Sequence, residues 1–192
     1  DEKDANKNPT GRRVTTNDYG SADYYYVNKS SLPKVYGGFN TSLSWKGFDL
    51  SAIFAYSIGG YIYNRDITMI LHNGSLEGRD WSTEILRRWT PDNRYTDVPA
   101  LSTTSNNWNS ASTRFLQNNS YMRLKNLTLS YNLPKQWISK LSLSSVQVYV
   151  QGDNLFTIHR NQGLDPEQGI TGITYYRYPA MRTISGGINV SF

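Results

Sequence analysis

Apolar and polar residues alternate through the last twelve positions of the chain, Met181 to Phe192. Ile184, Gly186, Ile188, Val190 and Phe192 share one parity; Thr183, Ser185, Gly187, Asn189 and Ser191 share the other. A two-residue period of this kind predicts a strand with one greasy face and one polar face. It recurs upstream. Across Val35–Trp45 the apolar positions are Val35, Phe39, Leu43 and Trp45, and after the turn signal Lys46-Gly47 they are Phe48, Leu50, Ala52, Phe54, Tyr56 and Ile58, so a hairpin with a very short connection is expected. A third strand is predicted over Tyr121–Asn132. Its phase slips at Lys125 and Asn126, because Met122 and Leu124 are even while Leu127, Leu129 and Tyr131 are odd, and a bulge or change of facing is expected there. Val146, Val148 and Val150 against Gln147, Tyr149 and Gln151 give the fourth strand, and Met181–Phe192 the fifth.

The connections alternate as well. Lys46-Gly47 and the modest segment Leu133–Ser144 are short, whereas Gly59–Ser120 and Phe156–Ala180 are far longer than ordinary loops. Short turns on one side and long loops on the other are the habit of outer-membrane β-barrels. With Phe192 at the periplasmic end, both short turns fall on the periplasmic side. Trp45 and Phe48 then flank one of them and Tyr131 and Trp137 the other, where an aromatic girdle is expected. Within the first long loop, Trp81, Ile85 and Trp89 recur at helical spacing between an acidic start and Pro91, which predicts a short amphipathic helix over Asp80–Trp89 whose tryptophans pack or offer a sugar-stacking surface.

Composition changes this picture in a few places. The aromatics comprise 15 Tyr, 6 Phe and 5 Trp, a set suited to interfaces where a ring is buried and its hydroxyl stays wet. The mean hydropathy of −0.59 and the lack of any long apolar run exclude a transmembrane helix but not a membrane barrel, whose lumen and loops are polar. The net charge of +5 comes from scattered Lys and Arg with no basic cluster, so no nucleic-acid partner is expected. With no cysteine, disulfides and thiolate sites drop out. Asp1–Pro9 is polar and is not a signal peptide, so the expectation is either a signal peptide already removed or a chain that begins inside something larger. About five strands cannot close around anything in lipid, where an open edge strands its backbone groups and the smallest barrels use about eight. The chain is therefore a C-terminal piece of a larger barrel, a subunit that completes a barrel with other chains, or a soluble sheet. The first is the expected architecture: all-β, an antiparallel up-and-down meander of about five strands forming the C-terminal part of a large transmembrane β-barrel, with residues 1–33 as an extracellular loop segment and 34–192 as strands, long extracellular loops and a short loop helix.

Catalytic chemistry finds no footing. His72 and His159 lie in separate loops without companions at metal-ligand spacing, so no metal or other cofactor is expected. Asp165 and Glu167 could be imagined as a glycosidase pair, but across a proline they read as a loop-ordering device that accepts backbone N–H groups. Gly59-Gly60 and Gly186-Gly187 precede no helix that could cradle phosphate. No Ser-His-acid set can be assembled, and no enzyme is expected.

Six blocks in order carry a family resemblance: Trp45-Lys46-Gly47-Phe48-Asp49-Leu50 with Tyr56-Ser57-Ile58-Gly59-Gly60; Arg88-Trp89-Thr90-Pro91-Asp92-Asn93 before Asp97-Val98-Pro99; Tyr121 to Pro134; Gln151-Gly152-Asp153-Asn154-Leu155-Phe156-Thr157; Gly163-Leu164-Asp165-Pro166-Glu167; and Tyr178-Pro179 with Arg182-Thr183. Over Lys34 to Phe192 the chain resembles the C-terminal end of the SusC/RagA family of TonB-linked outer-membrane proteins of the Bacteroidetes. The resemblance implies a barrel of about 22 strands with a plug in its lumen. It also implies a location in the bacterial outer membrane and a SusD-like surface lipoprotein as a lid. Oligosaccharides or peptides would be imported with energy from TonB, which would act through an N-terminal part absent from this sequence. On that reading the remaining barrel chain and lipid surround the segment, and Trp81, Trp89, Trp108, Tyr175 and Tyr176 are candidate contacts of substrate or lid. Ile188, Val190 and Phe192 would form the C-terminal signal for barrel assembly. The alternative is a soluble carbohydrate-binding β-module using the loop tryptophans.

Overall fold

The computed structural model describes residues 4–8, 10–12, 18–74, 76–104, 107–161, 163–167 and 171–192. Parts of the expected 1–33 loop segment lie outside them. The strands are β1 (Val35–Trp45), β2 (Phe48–Ile58), β3 (Tyr61–Asn64), β4 (Leu116–Asn118), β5 (Tyr121–Asn132), β6 (Ser145–His159), β7 (Ile173–Thr174) and β8 (Thr183–Ser191); the α-helices are α1 (Arg65–Ile70) and α2 (Lys135–Ile138). Five strands form one antiparallel sheet in the order β1-β2-β5-β6-β8, and β4-β3-β7 form a small second sheet.

The five-stranded sheet realises the sequence pattern row by row. Trp45, Phe48, Tyr131, Val148 and Ile188 are paired in succession across it, as are Leu43, Leu50, Leu129, Val150 and Gly186. Ring contacts bind these rows laterally: Phe39 stacks on Phe54 with centroids 4.7 Å apart, and Phe48 meets Tyr131 at 4.5 Å. Directly opposed aromatic pairs of this kind each stabilise a sheet by roughly 0.2–1 kcal/mol. The opposite face reads Ser42, Ser51, Thr128, Gln151 and Ser185, then Asn40, Ile53, Asn126, Asp153 and Thr183. Its polar groups satisfy one another, as where Asn126 Nδ2 donates to Asp153 Oδ1 at 2.8 Å and Gln147 Nε2 to Ser130 Oγ at 3.3 Å.

Exposure is inverted with respect to a soluble sheet. Leu43 is 66% exposed, Ile188 64% and Ile184 74%, whereas Arg123 on the polar face is 3% exposed. A folded soluble domain hides its apolar face; this one presents it.

The register slips where the sequence phase does. Ile53 pairs with Asn126 and Phe54 with Leu124, so Lys125 is an extra residue of β5. Opposite it, β6 accommodates Asn154 and Leu155 between Asp153 and Phe156, with Asn154 at φ 52°. This bulge is why β6 runs on to His159, well past the Gln151 at which its alternation fades: Asn154 absorbs the irregularity, and Phe156 and Ile158 resume the apolar row against Leu124 and Met122.

The expected helix over Asp80–Trp89 is instead a five-residue 3-10 helix, Thr83–Arg87. Ser82 caps it by accepting from Glu84 N–H, and Asn93 Nδ2 closes its far end by donating to the carbonyls of Arg87 and Arg88. Three residues per turn break the i, i+4 alignment, leaving Ile85 buried and Trp81 and Trp89 outside the helix.

Two compact units result. Residues 1–28 and 63–116 form one, with Leu71, Ile85, Val98 and Phe115 buried in it and Tyr63 edge-on to Phe115 at 6.2 Å. Residues 29–62 and 117–192 form the other, which contains the five-stranded sheet.

Candidate functional site: a loop clamp on the polar face

Within the sheet-bearing unit, the connection after β6 is bound to the polar face through Arg123. Its Nε donates to Thr157 Oγ1 at 2.9 Å, Nη1 to Glu167 Oε2 at 2.7 Å and Nη2 to Asp165 Oδ1. Lys125, the bulge residue, reaches the same Glu167 oxygen at 2.6 Å. Arg123 and Lys125, two positions apart, face the same loop, and the bulge returns Leu127, Leu129 and Tyr131 to the apolar row. Asp165 also accepts from the backbone N–H groups of Glu167 at 2.9 Å and Ala180 at 2.6 Å, which closes the loop on itself. The loop-ordering role read from Leu164-Asp165-Pro166-Glu167 is therefore present. The guanidinium that answers it was not legible from that motif.

Burial would push the Asp165 carboxyl up, but the N–H groups of Ala180 and Glu167 and the Arg123 guanidinium outweigh it and hold it below the usual aspartate range. Asn119 adds a neutral anchor. Its Nδ2 donates to Pro166 O at 2.8 Å, its Oδ1 accepts from Asn161 Nδ2 at 2.8 Å, and Asn161 O faces His159 Nδ1 at 2.9 Å. Loop and strands together form an open cavity of about 520 Å³ lined by Arg123, Asn154, Asp165, Arg177 and Arg182, among others.

The other candidate residues fall in separate places. Tyr175 and Tyr176 are exposed neighbours with ring centroids 4.4 Å apart, and Tyr176 sits at φ 48°. Trp81 is half exposed, and its indole N–H donates to His72 Nδ1 at 3.1 Å. Trp89 is exposed to a similar degree, its backbone N–H held by Val98 O. Trp108 is covered by the Arg114 guanidinium, 3.0 Å from the ring centroid, and so offers no open face there. Among the described residues these three tryptophans make no ring contact with one another. Trp45, Phe48 and Tyr131 stand side by side in one row at the short-turn end of the sheet, Lys46 Nζ lies 4.8 Å from the Trp45 ring, and Trp137 is exposed on α2, in the other short connection. Ile188 and Val190 continue the apolar face on β8, and Phe192 follows it, 92% exposed. His72 is buried against Trp81, whereas His159 is exposed with its Nδ1 on Asn161 O; among the described residues no group of His, Asp or Glu could hold a metal.

No protein-family model matches the chain. Over 166 residues it is 34% identical to TonB-dependent receptor P3 of Formosa agariphila, an alignment covering 81% of this chain and 16% of that receptor. TonB-dependent receptor SusC of Bacteroides thetaiotaomicron is 27% identical over 168 residues, covering 87% of this chain and 16% of SusC. The RagAB peptide importer in its closed-closed state superposes with a TM-score of 0.81 at 35% identity, over 100% of this chain and 20% of that one. The chain thus spans about a fifth or less of the length of the proteins it matches. Sequence and strand geometry agree: the chain belongs to the SusC/RagA-like TonB-dependent receptors and folds as an unclosed part of their barrel wall.

Proposed function

We propose that this segment is the C-terminal wall and outer loops of an outer-membrane importer of oligosaccharides or peptides, working with a SusD-like surface lipoprotein and drawing energy through TonB. The observation that carries the reading is the inverted sheet: an apolar face exposed at residues of all five strands from β1 to β8, with Ala52 and Leu124 covered within it, opposite a polar face that carries buried charge. Lipid covers the first face and the lumen receives the second. The RagAB importer that the chain superposes on is named for peptides, and the SusC relative supports the lipoprotein lid. On this reading Trp45, Phe48, Tyr131 and Trp137 form the periplasmic aromatic girdle, and Ile188, Val190 and Phe192 the assembly signal. Trp81, Trp89, Tyr175 and Tyr176 then belong to loops that meet substrate or lid, with Trp108 tied down by Arg114. The Arg123 clamp holds the last of these loops to the wall.

The test is made on the full-length receptor in its native membrane. It should fractionate with the outer membrane, co-purify with a surface lipoprotein, and stop importing ligand when TonB is deleted. A receptor that partitions into the soluble fraction and binds glycan unaided would establish the soluble carbohydrate-binding module instead.

A further inference from the structure

We propose that the cavity beneath the 163–182 loop is a binding site for a carboxylate group, with Arg177 and Arg182 as its cations. This rests on the importer reading and adds a ligand chemistry to it. The clamp is balanced within itself, since Arg123 and Lys125 face Asp165 and Glu167. Arg177 and Arg182 line the same cavity, are exposed, and enter no ion pair among the described residues. A concavity holding two guanidiniums beyond its neutralised pairs carries a positive potential, and a guanidinium fork matches the paired oxygens of a carboxylate. Asn154 supplies the second element. It lines the cavity, its Nδ2 donates to Met181 O at 3.2 Å, and its Oδ1 is buried with no hydrogen-bond partner. An orphaned acceptor of this kind is costly unless a donor reaches it. A ligand with a carboxylate next to an N–H or O–H donor meets both demands. A peptide C-terminus and a uronic acid each offer that pair.

The experiment uses the full-length receptor in detergent and calorimetric titration with two probe pairs: acetyl-trialanine against its C-terminal amide, and digalacturonate against digalactose. The acid of at least one pair is expected to bind roughly tenfold or more tighter than its neutral mate, as a charge-assisted contact allows. Arg177→Gln and Arg182→Gln should each erase most of that preference while leaving outer-membrane yield and heat-modifiable mobility unchanged. Whichever acid responds identifies the source of the carboxylate. Equal binding of acid and neutral mate, no measurable binding of either acid, or a preference that survives the double variant overturns the site. Failure of the importer reading itself would show separately, as loss of outer-membrane fractionation or of TonB-dependent uptake in the unaltered receptor.

Discussion

Tyr149 of β6 lies over Gly187, its directly paired neighbour in β8, so closely that a β-carbon added to the glycine would stand 2.7 Å from the phenolic oxygen and 2.9 Å from the ring edge. Tyr56 covers Gly37 on β1 in the same way, with 3.0 Å to its hydroxyl oxygen. An aromatic laid across a cross-strand glycine fills the gap the missing side chain leaves and pins the register. Gly187→Ala should therefore cost about 1–2 kcal/mol through overpacking. A double-mutant cycle with Tyr149→Ala should return a coupling of roughly 0.5–1 kcal/mol. Denaturant unfolding of the reconstituted full-length receptor measures both.

Arg123 is the most consequential single side chain of the clamp. At 3% and 6% side-chain exposure, Arg123 and Asp165 form a pair whose desolvation has already been spent. Removing one partner leaves the other charged and unmatched, which costs about 3–5 kcal/mol. Arg123→Ala should loosen residues 163–182 far more than Lys125→Ala, whose partner Glu167 is one-third exposed and keeps Arg123. Hydrogen exchange of the backbone amides of Glu167 and Ala180 reads the difference.

The clamp should also weaken in acid, in a defined window. The folded-state carboxyl of Asp165 sits below its unfolded value, which is about 3.9. The ionised form is thus the one the fold favours, and its contribution is fully present above the unfolded value. It is lost as pH falls from there through the folded value. Proteolytic nicking of the loop by an acid-tolerant protease should be flat above about pH 5 and rise below pH 4. In Asp165→Asn the rise should disappear.

How much of this was legible beforehand follows from range. Alternation is a property of neighbours, so Val35–Trp45, Phe48–Ile58 and Tyr121–Asn132 could be bounded from the chain alone, and the slip at Lys125 gave away the bulge. Asp153-Asn154 resembles a turn, and only its pairing with β5 shows the strand running through it. The Trp81, Ile85, Trp89 spacing suggested an α-helix because spacing carries no information about Asn93 and Val98, which hold that segment from outside. The clamp joins residues 42 and 44 positions apart. Its one local signal is that Arg123 and Lys125 are the cations of an otherwise uncharged strand.

Charge on the bare face should be rejected and polarity on the other tolerated. Leu43→Arg and Phe54→Arg are expected to lose about 2–4 kcal/mol each, as cations near the middle of a lipid-facing strand do. Leu43→Ile should lose under about 1.5 kcal/mol. Ser51→Lys, on the polar face beside Ser42 and Thr128, should leave the folded yield near that of the unaltered receptor. Heat-modifiable mobility on gels separates the outcomes.

The claim on which all of this depends is that the apolar face of the sheet meets lipid. This segment contains no cysteine, so once any cysteine elsewhere in the full-length receptor is replaced, a spin label can be placed at each position of Phe48–Ile58 in turn, with the receptor reconstituted in liposomes. Collision with dissolved oxygen should peak at Phe48, Leu50, Ala52, Phe54, Tyr56 and Ile58 and fall at Asp49, Ser51, Ile53, Ala55 and Ser57, while a water-soluble nickel chelate should give weak signals at the first set. A profile without the two-residue period, or one with the chelate favouring the even positions, would contradict the account.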